Sequence, residues 1–382
     1  MPRWFAVFVA GTLTVSTSVL AQERGAGQLR PRPGQGRQPE FPPPTILEYQ
    51  PRSTLVVPAH PVPRARFPAV DVHGHPPALT SEEAINRVGA AMDSLNLQVM
   101  VVSGRGGLTE QIEAVRASRY RNRFVMFTNL NLRDVGPGSG ARIAAQLEAD
   151  VRAGAVGVGE IGKGFGLYAR KTDGTRLTLD DAELDPVWET AARLRIPVFI
   201  HVADPAEFFQ PIDYHNERWQ ELALFPDRRY QDRSRFPSFE ELMEERDRLF
   251  ARHPNTIWVL AHLGWHAQDL ARLGRMFDRL PNLYSEVGAV LYDLGRQPRA
   301  AREFFTKYQD RLLFGKDSFQ PDEYPYYWRV FETDDEYFDY YRDYHAFWKL
   351  YGMGLPDEVL KKIYYQNALK IVPGIPRGGF PN

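Results

Sequence analysis

Beyond residue 68, short apolar runs alternate with stretches in which apolar positions recur every three to four residues. The runs cover 69–75, 98–103, 124–131, 155–163, 197–203, 256–263, 283–290 and 311–317, and Val, Ile, Leu and Phe dominate them. Continuous apolar runs of this length are what strands buried on both faces show. Between them lie amphipathic helix patterns at 81–95, 108–118, 139–153, 180–194, 238–252, 267–280 and 299–308. Ser81 and Ser238 stand where N-caps belong, with acidic residues just behind them, and Pro186 sits early in the fourth helix. Eight strands with seven helices between them predict parallel pairing through right-handed crossovers and closure into a (β/α)₈ TIM barrel. An open doubly wound sheet is the alternative, but no Gly-rich phosphate loop follows the first strand.

Two connections are longer than a barrel needs. Residues 204–237 follow strand five and 318–356 follow strand eight, so both predict insertions on the active face. The second is dense in aromatics (Tyr324, Tyr326, Tyr327, Trp328, then Tyr337 onward), which suggests either an aromatic-walled cleft or packing against the barrel or a second subunit. Ahead of the barrel, residues 1–21 read as a secretory signal: Arg3, an apolar stretch at 4–19 broken by Gly11, Thr12 and Thr14, and Val19-Leu20-Ala21 before a cleavage point. That stretch is short for a membrane span. Residues 22–68, rich in Pro, Gly, Gln and Arg, read as a disordered linker, leaving 69–382 as the barrel. A periplasmic or secreted protein without a stable membrane anchor is expected.

Composition narrows the chemistry. Of 382 residues, 47 are Lys or Arg and 48 Asp or Glu, a net charge of −1 that argues against a polybasic nucleic-acid binder. A small-molecule substrate is the expected partner, with a homodimer left open. The chain has no cysteine, which excludes disulfides, thiolate metal ligands, cysteine nucleophiles and a lipoprotein anchor. Any metal must be held by His, Asp or Glu.

Ionisable residues fall at successive strand ends, the face on which barrels carry their chemistry. Strand one ends Asp71-Val72-His73-Gly74-His75, and period-two geometry sends Asp71, His73 and His75 to one side. His201 ends strand five, His262 strand six and Asp317 strand eight. Four histidines and an aspartate at one mouth would be costly to bury without a cation. The N/O donor set suits Zn²⁺ best, with Mn²⁺, Fe²⁺ or Co²⁺ as alternatives.

With those residues in place, the sequence resembles the amidohydrolase superfamily, in particular the amidohydrolase-related branch that includes aminocarboxymuconate-semialdehyde decarboxylase. The resemblance spans about residues 70–372 and includes Phe314-Gly315-Lys316-Asp317 and the closing Tyr364-Tyr365-Gln366-Asn367-Ala368-Leu369-Lys370-Ile371. It implies that His73, His75 and His201 are metal ligands, that Asp317 is ligand and proton acceptor, and that His262 is a ligand or a nearby base. Strand four ends Gly159-Glu160-Ile161-Gly162-Lys163. Glu160 resembles the bridging glutamate of TatD-type nucleases, whereas Lys163 could be the carboxylated lysine of other members. Alternation puts the two on opposite faces. Glu160 is preferred because it binds metal unmodified, and the count of one or two ions stays open.

Glu286 on strand seven could orient a ligand histidine or contact substrate, and Arg296 beyond it could clamp a substrate carboxylate. Asp204 is a further partner for His201. His215 and His266 lie in active-face loops, while His60, His253 and His345 read as structural or solvated. The expected activity is metal-assisted hydrolysis of an amide, ester or lactone, with Asp317 moving the water proton and His262 steadying the oxyanion. Non-oxidative decarboxylation of an aromatic or unsaturated acid, and a catalytically silent metal-binding barrel, are the alternatives.

Overall fold

The computed structural model describes residues 37–38, 40–103 and 107–381; the expected leader at 1–21 and the linker's 22–36 lie outside them. The chain divides into units 1–56 and 57–382. In the first, Glu48 closes a turn by accepting from the Thr45 N–H (2.9 Å) and hydroxyl (2.8 Å).

The second unit starts at Val57, ahead of the expected boundary at 69. His60 reaches Asp335 through its N–H (2.7 Å) and Nδ1 (2.6 Å), the Arg66 N–H donates to Glu332 (2.9 Å), and Ala65 is buried. Two backbone amides and a ring tie this segment down, with no apolar run that a periodicity search would find.

Among the described residues nine strands form two parallel arcs: β1 Ala69–His75, β2 Leu97–Val102, β3 Phe124–Met126, β4 Val158–Ile161, β5 Pro197–Ile200, β6 Ile257–Leu260, β7 Leu283–Glu286, β8 Leu312–Leu313 and β9 Asp317–Ser318. One arc runs β3-β2-β1-β9, the other β4-β5-β6-β7-β8. They join at both seams. Thr128 bridges Val158 beyond β3, with its N–H on Gly157 O (2.9 Å) and its carbonyl accepting from Gly159 (2.8 Å). At the other seam Val72 N–H donates to Phe314 O (3.0 Å), and Gly74 and His75 pair with Asp317 and Ser318. The ring therefore closes as a (β/α)₈ barrel, with β8 and β9 as one interrupted eighth strand. Gly315 makes the interruption possible: a Cβ there would lie 2.5 Å from Glu286 Oε2 and 2.8 Å from His73 Cβ.

Helices Glu82–Leu95, Leu108–Ala117, Ser139–Ala153, Asp185–Leu194, Phe239–Arg252, Leu270–Arg279 and Pro298–Lys307 alternate with the strands. Ser81 caps the first through Ala84 N–H, Ser238 and Glu241 form a reciprocal capping box, and Pro186 occupies the first turn of its helix. From β3 onward the strands are shorter than the apolar runs, because those runs continue into the loops that carry the chemistry.

The segment after β5 contains Ala206–Phe209, Trp219–Leu224 and Pro226–Arg228; that after β9 contains Pro321–Glu323 and Tyr324–Glu332. The aromatics of helix Tyr324–Glu332 do not wall a cleft. Tyr324, Tyr327 and Trp328 are fully buried and pack on Phe314, Trp328 at 4.5 Å between ring centres. No helix among the described residues is long and apolar enough to cross a membrane.

Candidate metal centre

The ends of β1, β4, β5, β6 and β9 bring His73, His75, Glu160, His201, His262 and Asp317 together. Ring centres lie 4.9 Å apart for His73–His75, 5.1 Å for His73–His262 and 4.4 Å for His201–His262. Asp317 Oδ1 is 3.8 Å from Nε2 of both His73 and His75. Glu160 spans the cluster: Oε2 lies 3.0 Å from His75 Nε2 and 3.5 Å from His73 Nε2, while Oε1 lies 2.6 Å from His201 Nδ1. His73, His75 and Asp317 form one set whose donor atoms all lie within 4.8 Å, and Glu160, His201 and His262 form another.

Hydrogen bonds fix two tautomers. His262 Nδ1 lies 2.8 Å from Gly288 O and His75 Nδ1 3.3 Å from Ser103 O. A carbonyl only accepts, so each Nδ1 carries a proton and each Nε2 is turned to the cluster. Burial, with His201 nearby, pushes His262 down to about 4. It therefore stays neutral and cannot donate from Nε2, which corrects the oxyanion role and leaves it as a ligand or proton acceptor. His75 Nε2 lies 3.0 Å from Glu160 Oε2, close enough for a cation bound by both to take the place of that contact.

Charge points the same way. Although burial alone would raise Glu160, His73 and His201 hold it well below the usual carboxylate range, and His73 likewise lowers Asp317. Burial would lower His73, yet Glu286 and Glu160 hold it well above its ordinary value. Neither nitrogen of this wholly buried ring makes an aligned hydrogen bond, and His201 Nε2 is also unpartnered among the described residues. Ionised carboxylates and imidazoles with unused nitrogens are what a divalent cation requires, and its binding would displace the His73 proton. The residues fit the group.

The cluster rests on a buried scaffold. Asp71, pointing inward as alternation required, stays beneath the site: it accepts from His73 N–H (3.0 Å), Lys316 N–H (3.2 Å) and Tyr324 Oη (2.6 Å). Glu286 is wholly buried. It accepts from the N–H groups of His262 (2.6 Å) and Gly288 (2.5 Å) and lies 3.1 Å from His73 Nδ1, so it orients ligands and cannot contact substrate as one reading had it. Arg296 is also corrected: it pairs with Asp293 (2.8 Å) and Glu217 (2.9 Å), stacks over Trp348, and does not line the cavity above the cluster. Lys163 binds Asp204 at 2.5 Å rather than joining Glu160. His266 is buried against Arg246 (3.1 Å), whereas His215 is exposed.

Sequence reasoning missed Arg246. β6 ends at Leu260, and His262, Leu263, Gly264 and Trp265 follow with φ of 57°, 52°, 59° and 55°. Left-handed backbone costs roughly 1–2 kcal/mol per non-glycine residue. Arg246 Nη1 on Gly264 O (3.1 Å) and Trp265 Nε1 on Ala203 O (3.1 Å) hold the turn that aims His262. In the sequence Arg246 is one charged residue among several, between Glu245 and Asp247, which gave no signal of this. Ser103, at the end of β2, would have been found by the strand-end rule that found the histidines.

The amidohydrolase family model matches residues 57–374, and the chain belongs to that family. No curated protein matches it. Among solved structures, an uncharacterised TIM-barrel protein from Bordetella bronchiseptica is similar at 15% identity, covering 79% of this chain and 97% of its own, with TM-score 0.50. A putative amidohydrolase from Staphylococcus aureus is 19% identical over 80% and 99% (TM-score 0.45). A dihydroxybenzoic acid decarboxylase from Polaromonas sp. JS666, bound to manganese and 2-nitroresorcinol, is 15% identical over 80% and 96% (TM-score 0.47).

Proposed function

We propose that the protein is a metal-dependent hydrolase cleaving a C–N or C–O bond of a small amide, ester or lactone, with two divalent cations, Zn²⁺ foremost. The observation that carries this reading is Glu160, whose two oxygens face different ligand sets, His73/His75 and His201. His73, His75 and Asp317 would hold one ion, His201 and His262 the other, with Glu160 shared. When bound, such ions supply Lewis acidity and make water a nucleophile at neutral pH. Asp317, kept ionised and lining the cavity, accepts the water proton and returns it to the leaving group. Glu286 and Asp71 hold the His73 ring and backbone in place throughout.

The test is turnover of an ester, lactone and amide panel by Zn²⁺- or Mn²⁺-reconstituted protein in ¹⁸O-water. Hydrolysis predicts one ¹⁸O in the acid product and none with Asp317→Asn; CO₂ release from aromatic carboxylic acids assayed alongside, with no hydrolysis of the panel, would replace it by decarboxylation. A leader at 1–21 would make the mature protein periplasmic or secreted, which N-terminal mass analysis of expressed protein checks.

A further inference from the structure

The segment after β5 turns a buried carboxylate towards the metal centre. Asp204, three residues beyond His201, accepts two hydrogen bonds among the described residues, both at Oδ2: from Lys163 Nζ (2.5 Å) and from Tyr230 Oη (2.8 Å). Its other oxygen, Oδ1, lies 3.9 Å from His201 Nε2. That nitrogen is buried and has no hydrogen-bond partner among the described residues, whereas Nδ1 of the same ring lies 2.6 Å from Glu160 Oε1.

Three features hold Asp204 in that place. Lys163 comes from the end of β4, three residues beyond Glu160, so one ion pair ties together the two strand ends that carry Glu160 and His201. Tyr230 is fixed from within the insertion: its N–H donates to Phe208 O (2.9 Å), and its ring packs on Phe209 and Phe236, each at 5.1 Å between ring centres. Burial beside Asp204 pushes its phenol up, so it stays a donor. Ala203 takes left-handed backbone (φ 64°) while its carbonyl accepts from Trp265 Nε1 (3.1 Å). Strain that buried partners hold in place is typical of positions where a side chain has to be aimed.

A cation held between Glu160 and His201 Nδ1 leaves the ring's proton on Nε2. A buried N–H needs an acceptor, and closing about 1 Å would bring Asp204 Oδ1 to hydrogen-bond distance. Metal-bound histidines donate their second N–H to such acceptors, which fixes the ring and raises its basicity. Resting on the metal-centre reading above, we infer that Asp204 is the positioning residue of His201. Its Oδ1 accepts the Nε2 proton of the metal-bound ring, and Lys163 and Tyr230 hold the carboxylate for that task. Through Tyr230 the insertion after β5 becomes part of the centre's support.

The test reads metal binding rather than turnover. Full-length wild type, Asp204→Ala, Asp204→Asn and Tyr230→Phe are titrated with Co²⁺ against a competing chelator, and Asp204→Ala is also made in His201→Ala protein. Asp204→Ala should weaken the binding of one ion about 10- to 100-fold and alter the visible Co²⁺ spectrum. Asp204→Asn, which keeps an acceptor oxygen, should recover part of that loss. Tyr230→Phe, the mildest change, should cost about two- to tenfold, the worth of one hydrogen bond. In His201→Ala protein the Asp204 change should alter the affinity of the remaining ion by under about twofold, because the ring it orients is gone. Wild-type Co²⁺ affinity in Asp204→Ala, or an equal loss with and without His201, overturns the inference and leaves the hydrolase reading standing. No Co²⁺ bound by the wild type overturns both. Failure of the ester, lactone and amide panel with this binding pattern intact sinks the hydrolase reading alone.

Discussion

Replacing Glu286 by Gln alters one atom in a residue that substrate cannot reach, so it isolates the scaffold beneath the ligands. Its carboxylate accepts two backbone N–H groups, from His262 and Gly288, and faces His73 Nδ1 at 3.1 Å. Hydrogen bonds to a charged group contribute about 1.5–3 kcal/mol each, and a stranded buried donor costs about 1–3 kcal/mol. Glutamine keeps one carbonyl oxygen and turns an NH₂ towards either a backbone N–H or His73. One contact is lost and one donor is stranded, for a total of about 2.5–6 kcal/mol. At roughly 2 cal/mol/K of unfolding entropy per residue, a unit of this size loses about 4–9 °C in Tm. The same loss of orientation should weaken metal binding about 10- to 100-fold. Scanning calorimetry of the metal-free protein reads the first effect and competition with a fluorescent chelator reads the second. A variant with wild-type Tm and wild-type metal affinity would refute the scaffold.

Three more predictions use the same structure. Tyr324→Phe removes the 2.6 Å donor to buried Asp71, which already rises under burial, and should cost about 1–2 kcal/mol in urea unfolding. Burial beside Arg246 lowers His266 to about 2, and burial lowers His345 to about 4. The unfolded chain therefore binds protons below pH 6.5 that the folded chain refuses, so stability present above pH 6.5 falls as pH drops. Each ring contributes up to about 1.4 kcal/mol per pH unit, and His266→Gln should lose about 2 kcal/mol less than wild type between pH 7 and 5 by urea midpoints. Stripping with chelator should abolish turnover and lower Tm, both restored by Zn²⁺ or Mn²⁺; activity that survives stripping would contradict the metal role.

Alternating periodicities made the barrel legible in the sequence, and β1 runs from Ala69 to His75 as its apolar run does. The strand-end rule likewise located His73, His75, Glu160, His201, His262 and Asp317, since each follows a run buried on both faces. What lay beyond reach was set by contacts between distant segments. Nothing local marks Glu286 as buried under His73, because that depends on Gly315 leaving room for it. Arg296 sits in an active-face loop, as expected, but Asp293 and Glu217 have claimed its charge. The aromatic segment was ambiguous because Tyr and Trp serve cores and clefts equally well; Phe314 and Tyr364 draw Trp328 inward. The turn carrying His262 contains a single glycine among its four left-handed residues, so its strain was not visible in composition.

The central claim is that one carboxylate joins two ligand sets, and metal stoichiometry tests it most directly. Wild type and Glu160→Gln are reconstituted with Zn²⁺, freed of excess, and counted by inductively coupled plasma mass spectrometry. About two ions per chain in wild type and one or fewer in Glu160→Gln are predicted from the shared-carboxylate geometry. Equal metal content in the two proteins, or no retained metal in wild type, would contradict it.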